Sequence, residues 1–440
     1  MMGRIEELKP LYRIISKLFL SLVFILTIGF FSGTDALSQP VINVPAGDTA
    51  ALIDAINTAN GNADTIINLS NSTYVLTAVD NNNNGDNGLP TIFTDMTFNG
   101  NGSIIERSIG APPFRIFNIG GGQGATPTVT FNNLTIRNGV STSIGGGGIN
   151  NGSDGTVNIN DCVVSDNTCE SGQAAGINND LFGTMNVFRT TVTSNINTTD
   201  GAGVGGVMND FGGVLNITES TISDNVGPRG GGVGNNASAG IVNILNTTIS
   251  GNRATRDDST SSGGVYNNSG GTINIDSSTI TDNEGPVSGN IANNSAGSIF
   301  VINTIVGESS VGPSCFVNSS GLIISEGYNI DQGSSCGFNS IGDKSNTNPL
   351  IGPLQNNGGP TDTHALLEAS PALDMGNVDC PPPDTDQRGV LRPQGDRCDI
   401  GAFESAEANI PTLSEWGLIA MAGVLGLIGL YAVRRRKLTV

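Results

Sequence analysis

Apolar and polar residues alternate in short bursts along the middle of the chain, and each burst leads into a run of glycine and asparagine. "VTFNNLTIRNG" begins at Val129, "VNINDCVVSDN" at Val157 and "MNVFRTTVTSN" at Met185. "LNITESTISDN" follows from Leu215, "VNILNTTISGN" from Val242 and "INIDSSTITDN" from Ile273, so successive starts lie 28, 28, 30, 27 and 31 residues apart. A looser copy, "IFVINTIVG", begins at Ile299. Each copy runs into a second cassette, "GGGINN", "AAGINND", "GGVMND", "GGVGNN", "GGVYNN" or "GNIANN". A fixed period of this length marks a stacked repeat.

Within a unit, Val157 and Ile159 alternate with polar neighbours, as do Leu215 and Ile217, or Ile273 and Ile275. That alternation predicts short strands with one buried face. A second strand is centred on Val164, Val192, Ile222, Ile249 or Ile280 and closes at an Asp-Asn or Ser-Asn turn, residue types that tolerate left-handed backbone. Ile177, Val207, Val233 and Val265 start a third strand that ends at Asn-Asn. Three strands and their bends in about 28 residues describe one coil of a right-handed parallel β-helix, an all-β solenoid. No coil can bury its own strands, whereas stacked coils line a shared apolar column. Equivalent turns place Asn138, Asn167, Asn195, Asn225, Asn252 and Asn283 as rungs of one amide ladder. Asn151, Asn179, Asn236, Asn268 and Asn294 form a second, with Asp210 replacing one rung.

Composition sharpens the picture. Gly supplies 62 residues and only 13% of the chain is charged, which favours turns and strands over charged helices. The aromatic share of 5% fits columns built from Val, Ile, Ser, Thr and Asn.

The two ends address the chain. "LFLSLVFILTIGFF", 18–31, follows Arg4, Lys9, Arg13 and Lys17 and leads to small residues at "DALSQP", predicting an export signal over 1–38 with cleavage after Ser38. At the other end Gly417–Val433 is apolar, with Trp416 before it and Arg434, Arg435, Arg436 and Lys437 after it. This pattern predicts a single transmembrane helix whose basic stop keeps the tail inside and the body outside.

"IPTLSEWG", which contains Ile410, Pro411, Thr412, Leu413, Trp416 and Gly417, resembles the IPTL-type C-terminal sorting signal of Gram-negative bacteria. The resemblance implies recognition by an exosortase-like sorting transpeptidase and a final place on the cell surface. "NPLIGPLQNNGGPTDTHALLEASPALDMGN", 348–377, with "DQRGVLRP", 386–393, and "CDIGAFE", 398–404, resembles the choice-of-anchor Q domain. That module implies surface display beside a repeat body and brings no catalytic residues with it. The expected organisation is a signal over 1–38, a cap and first coils over 39–128, repeats over 129–345, the anchor-adjacent module over 346–405 and the sorting signal over 406–440.

Six cysteines in an exported chain fit an oxidising compartment, and six allow fifteen pairings. The expected pairs are Cys315–Cys336 and Cys380–Cys398, each closing a local loop. Cys162 stands where other coils carry Thr190, Ser220 and Thr247, and serves either as a small core residue or as a partner of Cys169.

With the leader's three acids and four bases and the tail's four bases set aside, 36 acids face 11 bases, a balance near −25. Such a body repels nucleic acid and anionic lipid. No cofactor is expected, and Ca²⁺ is the one ion considered. "DNNNNGDNG" places Asp80, Asn82, Asn84 and Asp86 like the front of a calcium loop, but Thr91 stands where the bidentate acid belongs, so a polar turn is expected.

Parallel β-helices include pectate lyases and polygalacturonases, so the fold raises the question of catalysis on polysaccharide without answering it. The repeat strands carry few acids or bases. "RATRDDST", with Arg253, Arg256, Asp257 and Asp258, is the one charged insertion, and His364 in "THALL" has no nucleophile motif around it. The expected function is an adhesive or structural surface protein with extracellular glycans or cell surfaces as partners. A polysaccharide lyase or hydrolase and a passive surface-layer component are the alternatives.

Overall fold

The computed structural model describes residues 39–120, 124–201, 203–257, 261–318, 320–406 and 415–436. The chain divides into two units, 1–41 and 42–440, and the second contains the stacked coils. The export signal, the motif residues Ile410, Pro411, Thr412 and Leu413, and Lys437 and Asp258 lie outside the described residues.

The middle of the chain is a parallel β-helix. The central coils each add a five-residue strand and a three-residue strand to one long sheet, such as Thr156–Asn160 and Val163–Ser165, or Val214–Thr218 and Thr221–Ser223. Strands of adjacent coils pair in parallel and in register, Val157 on Met185 on Leu215 on Val242 on Ile273. A second sheet holds the Asn-Asn strands, from Phe117–Gly120 through Ile177–Asn179 to Cys315–Val317. The structure adds a fourth strand per coil, two residues long in most coils, as at Thr168–Cys169 and Val226–Gly227. Two residues are too few for an alternation to register in the sequence.

The inward residues form one apolar cluster running from Val44 to Phe338. Its N-terminal part is aromatic: the Phe98, Phe117 and Phe131 rings lie 4.7–5.5 Å apart. Helix α1 (Thr49–Asn60) packs Leu52, Ala55, Ile56 and Ala59 into this end, and Asp48 caps it by accepting a hydrogen bond from the Ala51 amide. Cys162 is a core residue with a free, buried thiol, and so is Cys169. In the next coils the equivalent position is a hydroxyl that accepts from the backbone of the coil before it, from Thr190 through Ser220 and Thr247 to Ser278. Disulfides join Cys315 to Cys336 and Cys380 to Cys398.

The amide ladders are present, with two corrections. Asn167, Asn195, Asn225, Asn252 and Asn283 pass Nδ2–H to Oδ1 up the stack at 2.9 Å per step. Asn138 is not a rung. Val164 pairs with Ile136, so Asn138 aligns with Asp166 and the rung position holds Gly139, whose amide donates to Asn167. Asn138 takes instead the left-handed turn position, at φ 62°, shared by Asp166, Ser194, Asp224 and Asp282. The second ladder is really two neighbouring columns. Asn151, Asn179, Asn209, Asn235, Asn267 and Asn293 form the buried one. Asn236, Asn268, Asn294 and Asn318 form another, one residue later, that ends on Asp210.

Helix α2 (Glu415–Arg436) contains Trp416, Gly417, Arg434, Arg435 and Arg436. The expected membrane crossing is corrected by this helix: among the described residues no helix is long and apolar enough to cross a membrane. At 1.5 Å per residue the apolar run Gly417–Val433 extends about 25 Å, short of a hydrocarbon core of roughly 30 Å.

Asn225 makes and receives ladder bonds on both sides and also donates to the Val192 carbonyl. Asn225→Ala strands several buried groups and is expected to cost about 2–4 kcal/mol. Asn138→Gly, at a backbone angle glycine adopts freely, is expected to be near neutral. Urea unfolding followed by circular dichroism measures both; equal losses would contradict the assignment of rungs.

Candidate functional site

The long sheet presents its outward side chains in straight columns, because every strand alternates about the same inward residues. Ile67, Phe98, Phe131 and Ile159 point into the core, so the asparagines that come directly after each of them point out. Asn160 donates to Asn132, Asn132 to Asn99, Asn99 to Asn68 and Asn68 to Asn43, at 2.9–3.1 Å. A parallel column runs from Asn274 through Asn243, Asn216 and Asn186 to Asn158 and Thr130.

At the N-terminal end the first column floors a cleft of about 590 Å³, lined by Asn43, Asn68, Asn99 and Asn132 with Asn71, Asn101, Asn133, Leu69 and Ser70. Each amide offers two donors and an acceptor without charge. The lining holds no acid, base or nucleophile stronger than a serine hydroxyl, so it cannot move a proton by acid–base exchange. It can hydrogen-bond a ligand rich in hydroxyl groups. No motif in the sequence singles these residues out. The signal was there in Asn68, Asn99 and Asn132, each one residue beyond an inward apolar position.

The calcium-like loop is organised by an arginine. Arg115 is fully buried, and its Nη1 donates to the Asn84 carbonyl at 3.0 Å and to Asn118 Oδ1. Its Nη2 reaches Ser143 O and Ser141 Oγ. Burial lowers this guanidinium to about 10. Asp80 accepts from its neighbour Asn81, and the Asp86 carbonyl accepts the Arg115 amide. Among the described residues no group of three His, Cys, Asp or Glu could hold a metal ion.

Among the described residues of the charged insertion, the arginines are engaged separately. Arg253 lies in a short strand beside Glu284, and Arg256 Nη1 donates to the Asp200 and Gly201 carbonyls. His364 is buried, with Nδ1 2.7 Å from Gly352 O and Nε2 2.9 Å from Ser250 Oγ. It belongs to a C-terminal segment that seats on the flank of the repeats. Thr361 donates to Glu219 O, Thr221 to Asp362 O and Thr248 to Gln387 Oε1.

Two ion pairs form within that segment. Arg392 and Glu404 form a buried ion pair at 3.0 Å, and Asp386 binds Arg388, whose guanidinium lies 3.5 Å from the centre of the Phe403 ring. Burial raises the Glu404 carboxyl, opposed by hydrogen bonds from the Asp399 and Gln394 amides and by the Arg392 charge, and burial lowers the Arg392 guanidinium. Glu404→Gln leaves a buried cation without its counterion and is expected to cost about 3–5 kcal/mol. Limited proteolysis should then release the 346–405 segment; unchanged protection would overturn this reading of the pair.

One acidic position stands out in the repeats. Asp210 accepts from Asn236 and from the Phe211 amide through Oδ1, while its buried Oδ2 has no partner among the described residues. Burial first, with repulsion from Asp180 on the adjacent coil adding to it, lifts Asp210 to about 6. A carboxyl raised in the folded state loses stability as pH climbs through that value from the unfolded one near 4. Asp210→Asn continues the amide column and is expected to stabilise the fold by about 1–3 kcal/mol at pH 8, with the gain fading near pH 4. Urea midpoints at the two pH values provide the check.

Residues 408–436 match the IPTL-CTERM motif. That motif implies an exported, surface-sorted protein processed by exosortase-type machinery. No curated protein matches the chain. Among solved structures the chain is similar to the crystal structure of pectate lyase Pel9A, at 13% identity and a TM-score of 0.49 over 84% of this chain and 97% of that chain.

Proposed function

We propose that the chain is a surface protein of a Gram-negative cell envelope that adheres to extracellular glycans through the outer face of its β-helix. In this reading the 346–405 segment is a choice-of-anchor Q-like module seated on the repeats, and an exosortase-like transpeptidase recognises the C-terminal signal. The observation that carries adhesion is the cleft floored by Asn43, Asn68, Asn99 and Asn132, which is wholly neutral and lined by hydrogen-bonding groups. Neutral amides match the mixed donor and acceptor pattern of sugar hydroxyls, and the acidic body around them disfavours anionic chains. A lyase or hydrolase needs a placed pair of carboxylates or an equivalent acid and base in its cleft. The lining of this one has neither.

The test is a glycan array probed with the purified chain, followed by titration of the neutral oligosaccharide that binds best. Asn71→Ala and Asn133→Gly remove exposed amides at the rim without touching the hydrogen-bonded column and are expected to weaken binding about tenfold, a difference of about 1.4 kcal/mol. Release of shorter products from the bound glycan would favour the enzyme instead. No binding, together with normal adherence of cells lacking the protein, would reject the adhesive reading.

A further inference from the structure

Two adjacent turns of the repeat break its pattern in two shared ways, and the first of them in a third. The turn after the Asn-Asn strand has four residues in most coils, and its first residue is Asn268, Asn294 or Asn318 elsewhere but Asp180 and Asp210 in these two. Its second residue takes left-handed backbone at Ser269 and Ser295, which suits a small polar residue. In the two exceptional turns that strained place is held by Leu181 and Phe211, at φ 52° and 48°. The third residue of the first is Phe182, whose ring lies against Gly212 of the next turn, where a Cβ would come within 2.9 Å of Cε1. Phe182 and Phe211 are 69% and 60% exposed, so these rings do not serve the core.

The repeat itself does not require this arrangement. Asn318, Asn294, Asn268 and Asn236 all donate in one direction, and Asp210 Oδ1 ends that chain as an acceptor. The other carboxylate oxygen is left over: Asp210 is 3% exposed and its Oδ2 has no hydrogen-bond partner. The partly buried Asp180 lies one coil away, at the strand spacing of about 4.8 Å, and its side chain accepts the Leu181 amide. Arg115 acts on Asp180 through its field, while its two Nη groups donate to Asn84, Asn118, Ser141 and Ser143. Two carboxylates on neighbouring rungs, one with an idle oxygen, thus repel one another with no ion-pair partner shown for either among the described residues. Flanking them are aromatic faces that attract cations and stack on apolar ring faces.

We infer that the turns Asp180–Phe182 and Asp210–Phe211 form a second binding site, separate from the amide cleft, for an amine-bearing sugar of an extracellular polysaccharide. The ammonium group meets the partly exposed Asp180 carboxylate with buried Asp210 behind it, and the C–H face of the pyranose covers the exposed rings. Neutral sugars lack the charge, and a simple cation lacks the ring.

The probe is a β-1,4-linked tetramer of glucosamine, titrated calorimetrically into the full-length chain beside its N-acetylated form. The amine tetramer is expected to bind at least tenfold more tightly. Asp180→Asn and Asp210→Asn place the amide that other coils carry, so the fold is kept, and each is expected to weaken binding at least tenfold. Phe182→Ser and Phe211→Ser should do the same. Asp166→Asn, on an exposed turn elsewhere, should change nothing, which separates a site from general attraction to an acidic body. Asn71→Ala should also leave this binding intact, so the cleft and these turns succeed or fail independently. Equal binding of the two tetramers, or unchanged binding by the Asp180 and Asp210 variants, overturns the inference. Full displacement by tetralysine at equal concentration overturns its sugar half.

Discussion

Every coil of this protein is unable to stand alone, and hydrogen bonding between coils is what removes that inability. A three-residue strand such as Thr221–Ser223 satisfies almost none of its backbone groups internally. It pairs with Thr191–Thr193 on one side and Thr248–Ser250 on the other. In-register stacking then places identical residue types above one another, so a side chain that helps at one rung helps at all of them. Val, Ile and Leu fuse into a single apolar column by this logic. Buried asparagine, costly when isolated, becomes favourable because each amide finds its partner one strand spacing away.

The same repetition explains where function can reside. A regular stack spreads its chemistry evenly and seldom brings unlike groups together. The outward asparagine columns therefore give an extended neutral surface, and the cleft at their N-terminal end is a place where that surface turns concave. Reactive constellations need departures from the repeat. The C-terminal segment is one such departure, and there Arg392 and Glu404 are committed to a buried ion pair within the segment. The Asp180 and Asp210 turns are another, and there Asp210 Oδ2 has no partner among the described residues.

The strength of a ladder also sets its tolerance for error. A column of Nδ2-to-Oδ1 bonds has a direction, and a carboxylate, which only accepts, fits at the receiving end. Asp210 occupies that end below Asn236. Asp180 on the next coil has no such place, which is why the two acids lie side by side without a shared donor. Arg115 shows the opposite solution. A fully buried cation is surrounded by the carbonyls of Asn84 and Ser143 and by the Asn118 amide oxygen.

The sequence by itself determined the parallel solenoid, its coil length, the inward residues and the hydroxyl column around Cys162, because period and alternation are local properties that stacking repeats. It also held the sorting motif. It could not decide register between coils of unequal length. A shift of one residue is invisible in composition, and so Asn138 read as a rung and two neighbouring columns read as one. Only the tertiary structure decided which asparagines face each other, that Cys162 and Cys169 stay apart, and that His364 is buried against Ser250. Those outcomes depend on groups 26 or more residues apart meeting at a few ångströms, a distance fixed by the stack as a whole rather than by any segment of it.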